Sequence, residues 1–393
     1  MEIIEVMNSK SGLAFLILAQ LACGSGGDQP ASPDSAIPSP DAELPRPDLP
    51  GALLDAPATP VDTGPGVDGP LTFAAWPTEA TVTIVSAKNA FGANMSGLVY
   101  EPAGTTAPAI LWAVQNEPSK LYRLTLNGST FTQVTSEGWV TGKLLHYPDG
   151  TGSPDSEGLT RTDWSSNEVY VVAERDNDAN QISRQSILRF ELTGTKGVLV
   201  ATHEWQLTDD LPAADVNCGL EGIAWIPDSH LVARGFFDES TQAAYLPALY
   251  PDHGSGIFLV GHDTTGMLYG YVLDHSTGKF TRIATFASGQ QRSVDLTFDR
   301  DTGTLWSLCD SKCNGRMTLL DIDGDATSAT AGRFILRATV PPPKALSNMN
   351  NEGISMGPFA ECAGERRPFF WADDEESNGF AIRKGSITCG RLY

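Results

Sequence analysis

A short motif that recurs through most of this 393-residue chain constrains its fold more than any other feature. The motif is an acidic or small residue, then glycine or leucine, then alternating apolar residues, as in Glu221-Gly222-Ile223-Ala224-Trp225. It starts five times, at intervals of 61, 64, 74 and 57 residues, at Ser96, Glu157, Glu221, Asp295 and Glu352. Alternating apolar runs bounded by turn residues indicate strands, and a repeat of this kind indicates an array of similar units.

Further apolar runs follow each of these starts. The second runs lead into carboxylates or amides and lie at residues 110–114, 169–173, 230–234, 305–309 and 368–372. Glu157 and Glu174 are 17 residues apart, and so are Glu221 and Asp238. The equal spacing indicates that the first and second runs have the same relative positions in the two units. Third and fourth runs flank turn sequences such as Asn127-Gly128, which is typical of hairpins.

Four strands in each of five units predict an all-β fold, a β-propeller of about five four-stranded blades spanning residues 71–393. The last unit supplies only three runs, whereas an unassigned strand at residues 81–85 precedes the first unit. We expect this N-terminal strand to complete the last blade and to close the ring. A count of six blades stays open, because the third unit carries a long insert at residues 241–255.

The first residues of the chain predict export. Residues 7–23 combine a polar start containing Lys10, an apolar run too short to span a bilayer, and small residues before Cys23. This pattern predicts a lipoprotein-type signal peptide at residues 1–22. Leu21-Ala22-Cys23-Gly24 resembles a bacterial lipobox, which implies lipid attachment at Cys23 and a place in the cell envelope, at the outer membrane or cell surface. Ordinary secretion with a free or disulfide-bonded Cys23 is the alternative.

A Pro- and Asp-rich segment follows at residues 23–70. From residue 24 onward it holds 11 of the 26 prolines and eight carboxylates, but only one base, Arg46. Such a segment cannot bury enough apolar surface to offset the entropy lost on ordering, so we expect a disordered linker. The remainder holds 38 acidic and 24 basic residues, a net charge near −14, without a basic cluster. This balance argues against nucleic acid as a partner.

The acids at the strand starts converge if all first strands begin at one mouth of a central channel. Carboxylates that end the second strands return to the same face, because antiparallel neighbours run in opposite directions. The predicted cluster consists of Glu157, Glu221, Asp295, Glu352, Glu174, Asp238, Asp310 and Asp373. Carboxylates crowded in this way repel one another unless compensated, and oxygen-rich sites suit Ca²⁺. The alternative is a structural clasp, in which each acid accepts backbone N–H groups of the neighbouring blade.

Three of the repeats resemble the phytase-like β-propellers, including the group labelled esterase-like activity of phytase: Ser156-Glu157-Gly158-Leu159, Leu220-Glu221-Gly222-Ile223-Ala224 and Asn351-Glu352-Gly353-Ile354-Ser355. The resemblance implies that channel-facing carboxylates bind Ca²⁺, which helps to hold phosphate for hydrolysis by water. Those phytases have six blades, and they need a set of bases that this sequence lacks. Four bases near the predicted mouth are expected to solvate the surface: Arg175, Arg234, Arg292 and Lys312.

The remaining motifs carry less chemistry. Asp321-Ile322-Asp323-Gly324-Asp325 is expected to be a turn rather than a calcium loop, and His253, His262 and His275 lack the spacing of a zinc site. The candidate disulfides are Cys362 with Cys389 and Cys309 with Cys313, which leaves Cys218 free. Alternatively, Cys218 reaches Cys309 or Cys313 from the adjacent blade.

These features together predict an exported, lipid-anchored, monomeric propeller whose acidic, calcium-binding mouth binds an unidentified ligand or envelope partner. The alternative is a calcium-dependent phosphoesterase with Glu221, Glu157 and Glu352 as metal ligands and a metal-bound water as nucleophile. A purely structural envelope protein is the third hypothesis.

Overall fold

The computed structural model describes residues 69–104, 107–347 and 349–393. The predicted signal peptide, Cys23 and the linker up to residue 68 lie outside these residues. Within them, no helix is both long enough and apolar enough to cross a membrane. The described chain begins with two short strands, β1 (Leu71–Thr72) and β2 (Thr83–Ile84), and continues into five sheets that form the blades.

Blades 1 and 2 follow one another along the chain. Blade 1 contains β3 (Met95–Glu101), β4 (Ile110–Gln115), β5 (Lys120–Asn127), β6 (Thr130–Gln133) and β7 (Lys143–His146). Blade 2 contains β8 (Pro154–Thr160), β9 (Glu168–Asp176) and β10 (Ser183–Glu191), followed by β11 (Val198–Val200) and β12 (His203–Gln206). Strand β12 is the fourth strand of blade 2, whereas β11 pairs in parallel with β7 at the outer edge of blade 1.

Blade 3 is interrupted after its first strand. It contains β13 (Leu220–Pro227), then helix α1 (Asp228–Ala233) and the two-stranded sheet of β14 (Phe237–Asp238) and β15 (Ala243–Ala244), then β16 (Gly256–His262), β17 (Met267–Leu273) and β18 (Phe280–Ala287). Strand β13 pairs directly with β16, so the interruption is an insertion between neighbouring strands. The predicted second strand at residues 230–234 is therefore wrong, because that segment forms most of α1.

Blades 4 and 5 complete the set. Blade 4 contains β19 (Asp295–Asp299), β20 (Thr304–Leu308), β21 (Met317–Ile322) and β22 (Phe334–Val340), and blade 5 contains β23 (Asn351–Met356), β24 (Arg366–Asp373) and β25 (Ile382–Thr388). The short 3₁₀ helices lie at Asn177–Ala179, Pro247–Leu249, Ser311–Cys313, Lys344–Leu346, Phe359–Glu361 and Ser377–Gly379. Strand β1 adds in parallel to the outer edge of blade 4 through β22.

The N-terminal segment closes the ring. Strand β2 pairs antiparallel with β25 and supplies the fourth strand of blade 5, which confirms the predicted closure. The backbone N–H of Val85 donates to Ile382 in blade 5, and the carbonyl of Val85 accepts from Phe131 in blade 1. One residue thus links the last blade to the first.

The first strands line the centre of the ring. Strand β3 contacts β8, β8 contacts β13, β13 contacts β19, β19 contacts β23, and β23 contacts β3 again. The predicted five-bladed propeller is thereby confirmed. Apolar side chains fill the spaces between neighbouring sheets, as where Tyr100 of blade 1 stacks on Phe370 of blade 5 with ring centroids 4.9 Å apart.

Candidate metal centre at the channel mouth

The acid-glycine motif brings neighbouring first strands very close together. A Cβ atom added to Gly158 would lie 2.6 Å from the carbonyl oxygen of Glu221, and one added to Gly222 would lie 2.6 Å from Cα of Asp295. No side chain fits at such distances, so only glycine permits these approaches. Gly97 and Gly353 meet the next blade in the same way. The glycines therefore set a narrow channel lined by the residues beside them.

The motif also interrupts the pairing of the first strands. Register shifts occur at the motif in β3, β8, β13 and β23, for example between Leu220 and Ile223. A β-bulge changes the direction of a side chain relative to the simple alternation of a strand. Strand β19 has Leu296 in place of the glycine and pairs with β20 without a shift. Blade 4 is thus expected to place its acid differently from the other blades.

Three buried carboxylates form a compact group at this end of the channel. Asp155 and Glu157 come from β8, and Glu174 comes from the end of β9. One oxygen from each of them lies within 4.8 Å of the other two. These spacings allow one cation to touch all three side chains, and carboxylate oxygens are the ligands that Ca²⁺ prefers.

Hydrogen bonds from neighbouring blades fix the orientation of this group. The hydroxyl of Ser96 donates to Oε2 of Glu157 at 2.8 Å, and the side-chain amide of Asn116 donates to both oxygens of Glu157, at 3.2 and 3.4 Å. The backbone N–H of Gly219 donates to Glu174 Oε2 at 2.7 Å. Glu157 and Glu174 are therefore held before any ligand binds, which lowers the entropic cost of forming a site.

Burial and mutual repulsion raise the pKa values of the group. The pKa of Glu157 is raised to about 8, first because burial disfavours the charged form and then because Asp155 lies beside it. The pKa of Asp155 is raised to about 6, chiefly by burial, although its ion pair with Arg175 acts in the opposite direction. Burial, followed by the charges of Glu157 and Asp155, places the pKa of Glu174 well above its usual value. The group thus holds protons that a cation would displace.

Further carboxylates extend the group around the mouth. Glu221 and Glu352 have pKa values well above the usual range, chiefly because of burial, then through the charges of Glu174 and Asp374 respectively. The amide of Asn350 donates to Glu352 at 2.8 Å and to Asp374 at 3.3 Å, and so links these two acids. Acids from blades 2, 3 and 5 therefore share one electrostatic environment.

Bases compensate only part of this charge. Arg175 forms an ion pair with Asp155 at 2.6 Å, and Arg292 forms one with the buried Asp263 at 2.5 Å. The charge of Lys312 also acts on Asp263. Arg234, which was predicted near the mouth, instead pairs with Asp321 at 3.1 Å. Arg175 and Arg292 are thus already paired with carboxylates of the mouth, Asp155 and Asp263.

Some buried oxygen atoms near the group have no hydrogen-bond partner among the residues that the structure describes. They include Oδ1 of Asn116, whose amide nitrogen already donates to Glu157, and Oδ1 of Asp374, a residue that is only 6% exposed. Buried polar atoms are rarely left without partners, and each such oxygen is a further hard ligand. The donor set therefore fits a cation that takes oxygen ligands with loose geometry.

Two predicted members of the cluster act as structural groups. Asp295 accepts the backbone N–H of Ile354 in blade 5 at 2.7 Å, as expected of a clasp between blades. Asp373 accepts the backbone N–H of Ser377 at 2.9 Å and pairs with Arg383 at 2.8 Å. Its neighbour Asp374, in the turn that follows β24, is the residue whose charge raises the pKa values of Glu157 and Glu352 at the mouth.

The prediction that Asp238 belongs to the mouth is wrong. This residue lies in β14 of the insertion, where it accepts from Ser240 at 2.8 Å and from the hydroxyl of Tyr250. The insertion lies against outer strands, since the N–H of Glu239 donates to Ile283 in β18. Asp263, which directly follows β16, has the place in blade 3 that was assigned to Asp238.

Asp310 acts electrostatically on acids of the mouth, and three acids of the mouth were missed by the prediction. Asp310 is buried, accepts the N–H of Lys312 at 2.9 Å, and its charge raises the pKa values of Asp263 and Glu352. The acids absent from the predicted cluster are Asp155, Asp263 and Asp374. Asp155 lies two residues before Glu157 in the same strand, and this period-two spacing was the available signal.

The other sequence features are structural in the described residues. Disulfides join Cys309 to Cys313 and Cys362 to Cys389, as expected. No described cysteine is free, so the expectation of a free Cys218 is wrong. Asp321 and Ile322 end β21, and residues 323–325 begin the connection to β22. His253 contacts Asp228 at 3.0 Å, and His275 contacts the hydroxyl of Tyr170 at 3.0 Å, in the loops around blades 2 and 3.

The fold and the mouth define a five-bladed β-propeller with an acidic channel. No family model matches the chain, and no curated protein is similar to it. Solved structures with some likeness include the allergen Mala s 1 of Malassezia sympodialis, at 10% identity and a TM-score of 0.42, with 78% of this chain and 95% of that chain covered. A chain of a mitotic checkpoint complex has 11% identity and a TM-score of 0.37, with 88% and 99% covered.

A third likeness is to the PQQ-bound aldose sugar dehydrogenase of Streptomyces coelicolor, at 11% identity and a TM-score of 0.35, with 77% of this chain and 97% of that chain covered. Likeness at this level carries no information about ligand or activity. The function therefore has to be argued from the mouth itself.

Proposed function

We propose that this protein is an exported, lipid-anchored propeller of the cell envelope that binds Ca²⁺ at its acidic mouth and presents the loaded mouth to a ligand or partner. The observation that supports the metal is the group of Asp155, Glu157 and Glu174, whose oxygens lie within 4.8 Å of one another. Export and lipid attachment are supported by the sequence of residues 7–24 alone.

Calcium binding resolves the electrostatic conflict at the mouth. Without a cation, the buried carboxylates avoid repulsion by retaining protons, which is why their pKa values are raised. A divalent cation replaces those protons and accepts six to eight oxygens in flexible geometry. Oxygens from several blades then share one ion, which couples the blades and leaves positive charge accessible to an anionic or oxygen-rich group.

Thermal unfolding with and without calcium tests this proposal. A ligand that binds only the folded state raises stability by RT ln(1 + [L]/Kd), about 2.7 kcal/mol at a hundredfold excess over Kd. We expect Ca²⁺ to raise the melting temperature of the whole protein by several degrees relative to chelator. Glu157→Gln and Glu174→Gln should abolish this shift, whereas exposed Glu191→Gln should retain it.

Equal melting temperatures of the native protein in Ca²⁺ and in chelator, confirmed by the absence of heat in a calcium titration, would remove the metal from the proposal. The result stays interpretable if Glu157→Gln folds poorly, because Glu174→Gln alters a different strand. The shift should also be larger at pH 8 than at pH 6, because protons compete with the cation for the same oxygens.

A calcium-dependent phosphoesterase is the second candidate, because Arg175, Arg292 and Lys312 lie around the same carboxylates. The binding function is favoured since Arg175 and Arg292 already form ion pairs with Asp155 and Asp263. Assays on phytate and on a simple phosphate ester with Ca²⁺ separate the two. Turnover that disappears in Glu221→Ala would establish the enzyme, and calcium binding without turnover would support the binding module.

A further inference from the structure

The far end of the channel has a second, chemically different cavity. It encloses about 150 Å³, and residues of the first strand of every blade line it, among them Tyr100, Thr160, Trp225, Phe298 and Ser355. These residues lie at or near the ends of the strands whose starts form the acidic mouth. Thr160 is three residues beyond Glu157, and strands rise about 3.3 Å per residue, so the two sites are separated by roughly 10 Å of channel.

Three arginines line this cavity, and two of them are neutralised. Arg161 forms an ion pair with Glu101, and Arg367 pairs with both oxygens of Asp299, at 3.0 Å for Nη1 and Oδ1. Asp301 is also engaged, since it accepts the N–H of Phe359 at 2.6 Å and lies 3.9 Å from Arg367. The acids of the cavity are therefore matched by partners.

Arg300 differs from the other two arginines. Its guanidinium donates only to backbone carbonyls, those of Thr162 at 3.1 Å and of Arg161, and no described carboxylate forms an ion pair with it. Although part of the Arg300 side chain is exposed, desolvation of its guanidinium lowers the pKa to about 10. The negative charge of Asp163 acts in the opposite direction, and the positive charge of Arg161 adds to the lowering. The cavity thus contains a guanidinium that is influenced by the charge of Asp163 but forms no direct ion pair with a described carboxylate.

Two indole rings flank this guanidinium. The guanidinium carbon of Arg300 lies 4.3 Å from the ring centre of Trp164 and 5.0 Å from that of Trp225. Both tryptophans also line the cavity. Cation–π contacts hold the guanidinium in place but leave its remaining N–H donors available. A carboxylate that accepts from these donors would bring its attached apolar group against the indole rings.

We propose that this cavity binds a small organic anion, a carboxylate attached to an aromatic or apolar group, with Arg300 as the ion-pair partner and Trp164 and Trp225 as the apolar walls. The volume matches such a ligand, because cavities of about 150 Å³ hold a molecule the size of benzene. The site is independent of the calcium proposal, since it shares none of the mouth carboxylates.

Titration of the whole protein with benzoate, followed by tryptophan fluorescence and calorimetry, tests the proposal. We expect saturable binding that weakens at least tenfold in Arg300→Met. Benzyl alcohol, which has the same ring without the charge, should bind at least tenfold more weakly than benzoate. Inorganic phosphate should also bind more weakly, because it has no apolar group to contact the indoles.

Matched variants separate this site from the rest of the protein. Arg282→Met removes an arginine that also lies over an aromatic ring, Tyr269 at 5.8 Å, but outside the cavity, and should bind benzoate normally. Exposed Glu191→Gln should do the same. No saturable benzoate signal, equal binding by folded Arg300→Met, or equal binding of benzyl alcohol would overturn the proposal. If Arg300→Met is unfolded by circular dichroism, Trp164→Leu provides the same comparison.

Discussion

At the scale of single residues, the acids of the repeat have two different roles. Glu157 and Glu174 belong to a compact carboxylate group, whereas Asp295 accepts a backbone N–H from the next blade. The local sequence explains the difference, because Asp295 precedes leucine and has no bulge beside it, while Glu157 precedes glycine. The clasp hypothesis therefore describes Asp295 of blade 4, whereas both hypotheses apply to blade 2, because Glu174 also accepts the backbone N–H of Gly219 beside blade 3.

The raised pKa values predict how stability depends on pH. A carboxyl group whose pKa is higher in the folded than in the unfolded state binds more protons when folded, so its contribution is complete below the unfolded pKa and is lost as pH rises through the folded one. With the pKa of Glu157 at about 8 and those of Asp155 and Asp374 at about 6, the metal-free protein should lose stability between roughly pH 5 and 8.

Urea unfolding in chelator at several pH values measures this loss. One group protonated only in the folded state contributes a slope of about 1.4 kcal/mol per pH unit, so Glu157→Gln should flatten the profile by up to that amount. Saturating Ca²⁺ should flatten it as well. Exposed Glu191→Gln is the control and should leave the dependence of unfolding free energy on pH unchanged. The same unchanged slope in Glu157→Gln would show that Glu157 is not the group that holds the proton.

At the scale of elements, glycine in the first strand decides how closely two blades approach. From the sequence alone, glycine inside a strand is expected to make that strand less stable, since glycine is unfavourable in strand interiors. The structure gives it a positive function, because the backbone of the next blade occupies the space where a Cβ atom would lie. The repeated glycine thus indicates close packing of neighbouring blades, and the acid beside it indicates the chemistry of the channel mouth.

Replacing Gly158 by alanine tests this explanation. The new Cβ would lie 2.6 Å from the carbonyl oxygen of Glu221, so blades 2 and 3 must separate. We expect a loss of about 1–3 kcal/mol in the free energy of unfolding, typical of overpacking, together with weaker calcium binding. Gly104→Ala, where nothing lies within 4 Å, is the control. Equal stability of both variants would contradict the role of close approach.

At the scale of the whole molecule, the propeller separates two environments along one channel. The starts of the first strands carry carboxylates, and their far ends carry arginines and tryptophans. The same five strands build both ends, so closure of the ring positions both sites at once. Any change that opens the ring should therefore affect calcium and benzoate binding together.

Replacing Trp76 tests how much closure of the ring contributes to stability. It lies in the N-terminal segment, is 6% exposed, packs on Phe369 and Trp371 of blade 5 and donates its indole N–H to Ser386 at 2.6 Å. Trp76→Ala should cost about 3–5 kcal/mol, as is typical of a buried tryptophan. The half-buried Trp164→Ala should cost less. Urea unfolding measures the free energy of unfolding of both variants. Equal losses would show that Trp76 does not make a special contribution to ring closure.

The sequence by itself determined the fold class and the closing strand, and it favoured five blades while the insert at residues 241–255 kept a count of six open. These follow from local patterns, because period-two apolar runs and turn residues specify strands and hairpins without reference to distant contacts. It also predicted a place at the channel mouth for Glu157, Glu174, Glu221 and Glu352, since their position beside the repeated glycine or at the end of the second strand recurs between blades.

Only the tertiary structure decided which acids meet. Asp374 rather than Asp373 influences the mouth, and Asp263 rather than Asp238 follows the second strand of blade 3. Asp373 is the last residue of β24, whereas Asp374 lies in the turn after it, and the sequence does not show where the strand ends. The helix inserted after β13 displaces the second strand of blade 3 along the chain without leaving a periodic signal in the sequence. The far cavity was equally hidden, because its walls come from five strands that are distant in sequence and adjacent only in the closed ring.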